Sequence, residues 1–244
     1  MIRSWNVIWS GATTPKGNRM KKCISAMATT AVLSLVALFV VIPLSVRSAP
    51  AALTAATATK TVDDLNTAYM GETTAHAKYA AYAVEADKEG YKAEARLFRA
   101  ASTAETYHAR NHKAALAKLG VKDPAPGFYH GTPGATRQNL QESVGTHLKN
   151  AVSGESYERD SMYPDMIKNA KAEGQKDAVR SETYALRAEG QHAALYTAAL
   201  KNLGHNKSVP FYSVCTGCGA TWAGKGPDPC PVCGRPRATF RRVK

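Results

Sequence analysis

Apolar residues recur at three- and four-residue spacing through most of the chain from 62 to 204, a period typical of α-helices with one buried face. Two Glu-Gly pairs, Glu89-Gly90 and Glu173-Gly174, interrupt this period. Glycine just past the end of a helix readily adopts the left-handed conformation that stops the helix. The pattern therefore predicts two helix pairs and a Pro- and Gly-rich connecting loop. The first pair spans roughly 62–88 and 91–119, and the second spans roughly 138–172 and 175–203. The loop between the pairs spans 120–137.

The two helix pairs repeat one another. Each pair carries a Gly-Glu dipeptide on its first helix and a Glu-x-x-His motif on its second. The copies are Gly71-Glu72 with Glu105-x-x-His108, and Gly154-Glu155 with Glu189-x-x-His192. In both pairs the Glu-x-x-His motif begins 15 residues after the dividing glycine. The equal spacing indicates an internal repeat.

The third helix is one residue longer than its counterpart. Glu72 and Glu89 are 17 residues apart, whereas Glu155 and Glu173 are 18 apart. A one-residue insertion in a helix is commonly absorbed as a π-bulge, often at a functional site. We therefore expect a π-type irregularity between Glu155 and Glu173, close to Pro164.

The repeated motifs bring carboxylates and imidazoles together. Residues three apart on a helix share a face, so the Glu and the His of each Glu-x-x-His motif lie on the same side of their helix. For the same reason Glu158 shares a face with Glu155. The set is Glu72, Glu105, Glu155, Glu158, Glu189, His108 and His192. Ferritin-like di-iron proteins place one Glu on each of two helices and Glu-x-x-His on each of the other two. The sequence supplies that pattern in order, with Glu158 as an addition.

A metal explains why so many carboxylates would be buried together. Without compensation, several would have to stay protonated or their burial would be costly. Oxygen and imidazole ligands suit iron or manganese. One Glu-x-x-His is usually a solvated helix face, but two copies at matched spacing favour a di-metal site. His76, His112 and His147 have no such partner and are expected at the surface.

Four of the five cysteines form a second candidate metal site near the C-terminus. Cys215, Cys218, Cys230 and Cys233 have the spacing C-x2-C-x11-C-x2-C, and glycine follows each pair. Four thiolates predict tetrahedral iron or zinc, and the spacing does not choose between them. A zinc ribbon that binds nucleic acid is the alternative. The expected aromatic core consists of Tyr212, Trp222 and Phe240.

Three segments resemble rubrerythrin signatures, as do both Glu-x-x-His motifs. They are Asn66-Thr67-Ala68-Tyr69-Met70-Gly71-Glu72, Gly154-Glu155-Ser156-Tyr157-Glu158 and Met162-Tyr163-Pro164. The resemblance covers about 62–244. It implies a mainly α fold, with a ferritin-like di-iron four-helix bundle at 62–204 and a rubredoxin-like four-cysteine iron domain at 210–244.

The resemblance also implies roles for individual residues. Two iron ions per chain would be bound by the seven Glu and His residues, with Glu105 and Glu155 as bridging ligands. One iron would exchange Glu158 for His108 on reduction. Tyr79 and Tyr163 match tyrosines that hydrogen-bond near the ligands, although ordinary core packing is an alternative. Glu158, His108, Tyr79 and Tyr163 are thus the expected catalytic residues, and a further iron (or zinc) would occupy the cysteines.

The activity implied by the resemblance is that of a non-haem di-iron peroxidase protecting against oxidative stress. It would reduce hydrogen peroxide to water with electrons relayed through the four-cysteine iron from an external reductase. A homodimer or larger assembly is implied, in which the cysteine module of one subunit serves the bundle of another. The alternatives are a ferroxidase or iron-handling protein and a non-catalytic zinc- or other metal-binding protein.

The net charge of +13 lies at the two ends of the chain. Residues 1–50 hold six basic and no acidic residues, and 201–244 hold eight basic and one acidic, so 51–200 is neutral. This distribution argues against a nucleic-acid-binding body. The basic tail suits an acidic partner, an anionic surface or a solvated face.

The N-terminal segment 1–51 has the features of a secretory signal. Met20-Lys21-Lys22 precedes a charge-free run over 23–46, and Ala49-Pro50-Ala51 supplies a small-residue cleavage pattern. We expect export to a periplasmic or extracytoplasmic space, with 52–61 as a linker. The run is also long enough to be an uncleaved membrane anchor. Whether Met1 or Met20 is the start is left open by the sequence.

Overall fold

The computed structural model describes residues 59–128, 143–205 and 209–244. The proposed leader, the linker up to residue 58 and residues 129–137 of the predicted loop lie outside these ranges. Within them, no helix combines the length and apolar character needed to cross a membrane.

The mainly helical fold predicted from the sequence is confirmed. The helices are α1 (Thr59–Lys88), α2 (Lys92–Lys118), α3 (Val144–Tyr157), α4 (Tyr163–Ala172) and α5 (Lys176–Lys201). Gly90 and Gly174 have φ of 86° and 71°, which confirms the predicted left-handed stops. Ser143 caps α3 by accepting a hydrogen bond from the Thr146 amide, so this helix starts later than the sequence suggested.

A π-helical segment, Glu158–Met162, joins α3 to α4. The Tyr163 amide donates to the Glu158 carbonyl five residues earlier, as in a π-helix. The predicted one-residue insertion is therefore confirmed, and it ends at Met162, two residues before Pro164. Because the π turn shifts all later residues by one position, it restores the repeat between the two helix pairs.

Small side chains allow the helices to pack closely around a few large aromatic rings. Alanines occupy most buried apolar positions of the bundle. Tyr79, Phe98 and Tyr196 form one buried cluster, with ring centroids 5.3 to 6.2 Å apart. This cluster lies next to the carboxylate residues described below, because the Tyr79 hydroxyl reaches Glu155.

The C-terminal module, residues 209–244, contains a three-stranded antiparallel sheet in the order β2-β1-β3. The strands are β1 (Tyr212–Val214), β2 (Thr221–Ala223) and β3 (Arg241–Val243). Trp222 and Phe240 stack with centroids 5.2 Å apart, as the predicted aromatic core requires. Tyr212 differs from the prediction, because it and Val214 pack into the apolar core of the bundle. The module and the bundle therefore share a core.

Candidate metal centres

Two groups of buried side chains in the bundle could each hold a metal ion. The first consists of Glu72, Glu105, His108 and Glu189, and the second of Glu105, Glu155, Glu189 and His192. Within each group the ligand atoms lie within 4.8 Å of one another. None of these residues is more than 1% exposed. The helix repeat thus converges on two adjacent sites.

The two groups share Glu105 and Glu189. A carboxylate that belongs to both groups is placed to bridge two ions, one oxygen to each. The geometry therefore favours Glu105 and Glu189 as bridging residues, rather than the expected Glu105 and Glu155. The sequence repeat is consistent with this correction, since both residues begin a Glu-x-x-His motif.

The outer ring nitrogens of both histidines fix their tautomers. His108 Nε2 lies 3.0 Å from the Cys218 carbonyl oxygen, which only accepts, so Nε2 carries the proton. His192 Nε2 lies 3.1 Å from Thr221 Oγ1, whose own proton is donated to the Gly219 carbonyl at 2.9 Å. When either ring is neutral, its remaining lone pair is therefore on Nδ1, facing the carboxylates.

These lone pairs face negative oxygen atoms. His108 Nδ1 lies 2.8 Å from both Glu105 Oε2 and Glu189 Oε1, and His192 Nδ1 lies 2.8 Å from Glu189 Oε2. A lone pair so close to a carboxylate is repulsive unless a proton or a metal cation lies between them. Within the described ranges, five buried atoms of the two groups have no hydrogen-bond partner. They are Glu72 Oε2, Glu105 Oε2, Glu155 Oε2, Glu189 Oε1 and His108 Nδ1. The donor set fits two metal cations.

The electrostatics of the cluster also favour added positive charge. Burial raises the pKa of Glu105 well above its usual range, and the neighbouring Glu189 and Glu72 raise it further. Burial together with Glu189 likewise raises the pKa of Glu155 to about 7. Cations bound between these groups would favour the ionised forms instead.

Two tyrosines reach the outer oxygens of the carboxylates. Tyr79 OH donates to Glu155 Oε1 at 2.5 Å, and Tyr163 OH donates to Glu72 Oε1. Both rings are buried. Each hydroxyl therefore orients one carboxylate through the oxygen opposite the one that faces His108 or His192.

The four cysteines converge as the sequence predicted. Their sulfur atoms lie within 4.8 Å of one another, with Cys215 Sγ 3.4 Å from Cys233 Sγ. A hydrogen bond from the Cys218 thiol lowers the pKa of Cys215 to about 5 despite burial, and the Gly217 amide assists. Cys215 is thus a thiolate at neutral pH, the form that binds metals.

The cysteine module packs directly on the metal-binding helices of its own chain. Besides the two histidine contacts, the Thr221 amide donates to Gln191 Oε1 at 3.0 Å. Gly219 has φ of 79°, and a Cβ at this position would lie 2.1 Å from His108 Nε2. Only glycine therefore allows this approach. The exchange of modules between subunits, implied by the resemblance, stays a prediction.

Residues 63–200 match the Rubrerythrin family model. The chain belongs to the rubrerythrin family.

Individual relatives agree with this assignment. Nigerythrin of Nitratidesulfovibrio vulgaris is 37% identical over 180 residues, covering 74% of this chain and 85% of the relative. Rubrerythrin-2 of Clostridium acetobutylicum is 33% identical over 184 residues, covering 74% and 95% respectively. Among solved structures, fully reduced nigerythrin matches with a TM-score of 0.66 and 34% identity, covering 75% of this chain and 86% of that one.

Glu158 stands apart from the other ligands that the rubrerythrin resemblance implied. It lies in the π segment, is partly exposed, and belongs to neither group among the described residues. Although the residue is partly exposed, desolvation of its carboxyl group, with Glu72 and Glu155 nearby, raises its pKa well above the usual range. The structure thus has His108, and not Glu158, within the first group.

Two histidines expected at the surface of this rubrerythrin are buried. His147 stacks on Tyr82 with centroids 3.9 Å apart, and His112 contacts Tyr163 and Ser181. His76 is exposed, as expected. The spacing of seven residues between Glu105 and His112 could have indicated burial, since it places both on one helix face.

Glu182 is a further buried carboxylate that the sequence analysis missed. It lies two turns before Glu189 on α5, is 0% exposed, and within the described part of the chain neither oxygen has a hydrogen-bond partner. Burial, with Asp64 nearby, raises its pKa to about 7. Seven-residue spacing was again the available signal.

We expect Glu182→Gln to alter how stability depends on pH. The folded protein holds the Glu182 proton up to about pH 7, whereas the unfolded chain releases it near 4.5. Glu182 therefore lowers the free energy of unfolding as pH rises through this window, by about 3 kcal/mol in total. Chemical unfolding of both metal-loaded proteins at about pH 5 and about pH 8 measures this difference. An equal pH dependence in both proteins would contradict it.

Proposed function

We propose that this rubrerythrin is a peroxidase that reduces hydrogen peroxide to water. The reaction consumes two electrons and two protons and gives two molecules of water. One observation carries the proposal: His108 faces the carboxylate cluster with Nδ1 and bonds the Cys218 carbonyl with Nε2. A four-cysteine centre held against the carboxylate site supports electron delivery, which iron storage does not require.

The donor sets support iron in both centres. A related nigerythrin structure is described as all ferrous. We propose that His108 with Glu72 would hold one ion and His192 with Glu155 the other, with Glu105 and Glu189 belonging to both ligand sets. The bound iron would supply Lewis acidity and redox equivalents for the reduction of peroxide. We further propose that Glu158 replaces His108 in one redox state, as implied by the family resemblance.

A directed chain of hydrogen bonds supports proton delivery to this site. Tyr163 OH donates to Glu72, so its oxygen accepts from His112 Nε2 at 3.1 Å. His112 Nδ1 then accepts from Ser181 Oγ at 2.9 Å. Ser181 lines a small pocket at the surface with Asn111 and others. A proton entering at Ser181 would thus be handed inward to Tyr163, with each group restored by its outer neighbour.

Replacing His112 tests this chain. We expect His112→Phe to slow peroxide turnover by about 10²-fold, the lower range for loss of positioned proton transfer. Metal content should be unchanged, and His112→Gln, which keeps a polar group, should retain more activity. The solvent isotope effect on turnover should rise in the slower variant. Wild-type turnover and isotope effect in His112→Phe would contradict the role of His112.

Peroxide consumption by the iron-loaded protein tests the proposed function. We expect continuous consumption when an electron donor is supplied. Cys218→Ser should instead oxidise once after full reduction and then stop, because the route through the module is broken. An unchanged steady-state rate in this variant would reject the relay. Continued Fe(II) uptake beyond the two centres would favour an iron-handling protein. Zinc bound at the cysteines would favour a non-catalytic metal-binding protein.

A further inference from the structure

The four-cysteine centre has one covered side and one side open to solvent. Cys215, Cys218 and Cys230 are at most 1% exposed, and Cys218 lies against His108. Cys233 is the only one of the four that is partly exposed. An external electron donor therefore has its shortest approach to the sulfur atoms at Cys233.

Two arginine side chains flank this opening. A Cβ at Gly217 would lie 2.6 Å from Arg235 Cδ and Nε and 2.9 Å from Cys233 Sγ. The side chains of Arg235 and Cys233 therefore lie next to each other beside Gly217. From α2, Arg110 Nη2 donates to the Thr216 carbonyl at 2.7 Å. Arg110 and Arg235 are both exposed. Two guanidinium groups thus lie beside the one accessible cysteine.

The positive charge at this surface is not neutralised within the described residues. Arg235 has no carboxylate partner there, and Arg110 bonds only to carbonyl and amide oxygens. The single acidic residue of the module, Asp228, is 3.6 Å from Arg237. Residues 209–244 carry six basic side chains against this one acid.

We propose that the surface formed by Arg110, Arg235 and Cys233 is the docking site of an acidic electron-carrier protein. The proposal rests on the proposed function, for which it names the partner class and the entry point. In each encounter one electron passes from the carrier to the ferric cysteine centre, so the carrier is oxidised, the centre is reduced, and no atom is transferred. Opposite charge steers such encounters and fixes their orientation. The positive charge would also attract a nucleic acid or a lipid surface. Neither of these exchanges electrons, so neither explains why an accessible cysteine lies within the charged surface.

An acidic flavodoxin is a suitable probe. Its oxidised form is used to measure binding, and its fully reduced form is used to measure electron transfer. With the iron-loaded full chain we expect binding and rapid reduction at low ionic strength, both weakening steeply as salt is added. Arg235→Glu should lower the association rate by roughly tenfold or more. Arg235→Lys should be close to wild type. Lys168→Glu, an exposed change of equal charge on α4, is the matched control and should have little effect.

Reduction by the small methyl viologen radical cation keeps the test separate from folding and from the peroxidase proposal. Arg235→Glu should accept electrons from viologen at least as fast as wild type, and should then consume peroxide. Equal flavodoxin binding by wild type and Arg235→Glu would overturn the docking site. Binding of DNA or anionic vesicles that depends on Arg235, without any binding of flavodoxin, would overturn it as well. Arg235-dependent flavodoxin binding without peroxide consumption would support docking and overturn the peroxidase function.

Discussion

Replacing Gly219 with alanine is expected to uncouple the cysteine centre from the carboxylate site while both remain loaded with metal. The added Cβ would lie 2.1 Å from His108 Nε2, well inside the ~3.5 Å of ordinary contact. The module must therefore move away, and the 3.0 Å bond from His108 to the Cys218 carbonyl is lost. Leaving these buried groups unpaired costs about 1 to 3 kcal/mol, which lowers the docked population roughly 5- to 150-fold. Oxidation of the cysteine centre by peroxide should slow by a similar factor.

Gly234 provides the matched control. It follows the second cysteine pair as Gly219 follows the first, with φ of 76° against 79°. A Cβ at Gly234 would have no atom within 4 Å in the described structure. Gly234→Ala therefore carries the same backbone strain without the collision. Equal electron-transfer rates in the two variants would show that the contact with His108 is not the route.

Glu189→Gln should remove metal from both bundle sites at once. Glu189 belongs to both ligand groups, and its oxygens lie 2.8 Å from His108 Nδ1 and from His192 Nδ1. The amide cannot bridge two cations, and it removes a negative charge shared by both sites. We expect the iron content of the bundle and the peroxidase activity to fall close to zero, while the cysteine centre keeps its iron. Metal analysis together with the ferric-thiolate spectrum measures the two centres separately.

Glu182→Gln on the same helix is the control for this substitution. It also removes a fully buried carboxylate, but Glu182 belongs to neither metal group among the described residues. Its iron content and activity should match wild type. Glu155→Gln should have an intermediate effect, because Glu155 belongs to the second group alone. Loss of both ions in Glu155→Gln but not in Glu189→Gln would restore Glu155 as the bridging residue.

Repetition and helical period made most of the bundle predictable from sequence. Equal spacing from each dividing glycine to its Glu-x-x-His motif located the ligand residues, and one extra residue located the π segment. The bridging pair was not predictable in this way. Whether Glu155 or Glu189 lies between the two ions depends on how the helices are rotated against one another, which single-helix spacing does not report.

Contacts between distant segments were also beyond the sequence. His112 is buried against Tyr163 of α4 and Ser181 of α5, and Glu182 on α5 lies near Asp64 of α1. Neither residue belongs to a repeated motif. The direct approach of Gly219 to His108 joins residues 111 positions apart. A glycine after a cysteine pair suits the tight turn between the cysteine ligands. The structure adds a second reason, since any side chain there would collide with a metal-binding histidine.

Rapid mixing of the fully reduced, iron-loaded protein with hydrogen peroxide in the absence of oxygen tests the central claim most directly. The absorption of the ferric cysteine centre is followed in wild type and in Glu189→Gln. We expect peroxide to oxidise the cysteine centre of the wild type through the carboxylate site. The cysteine centre of Glu189→Gln should therefore stay ferrous. Equal oxidation rates in the two proteins would contradict it, as would a wild-type cysteine centre that stays ferrous while peroxide is repeatedly consumed.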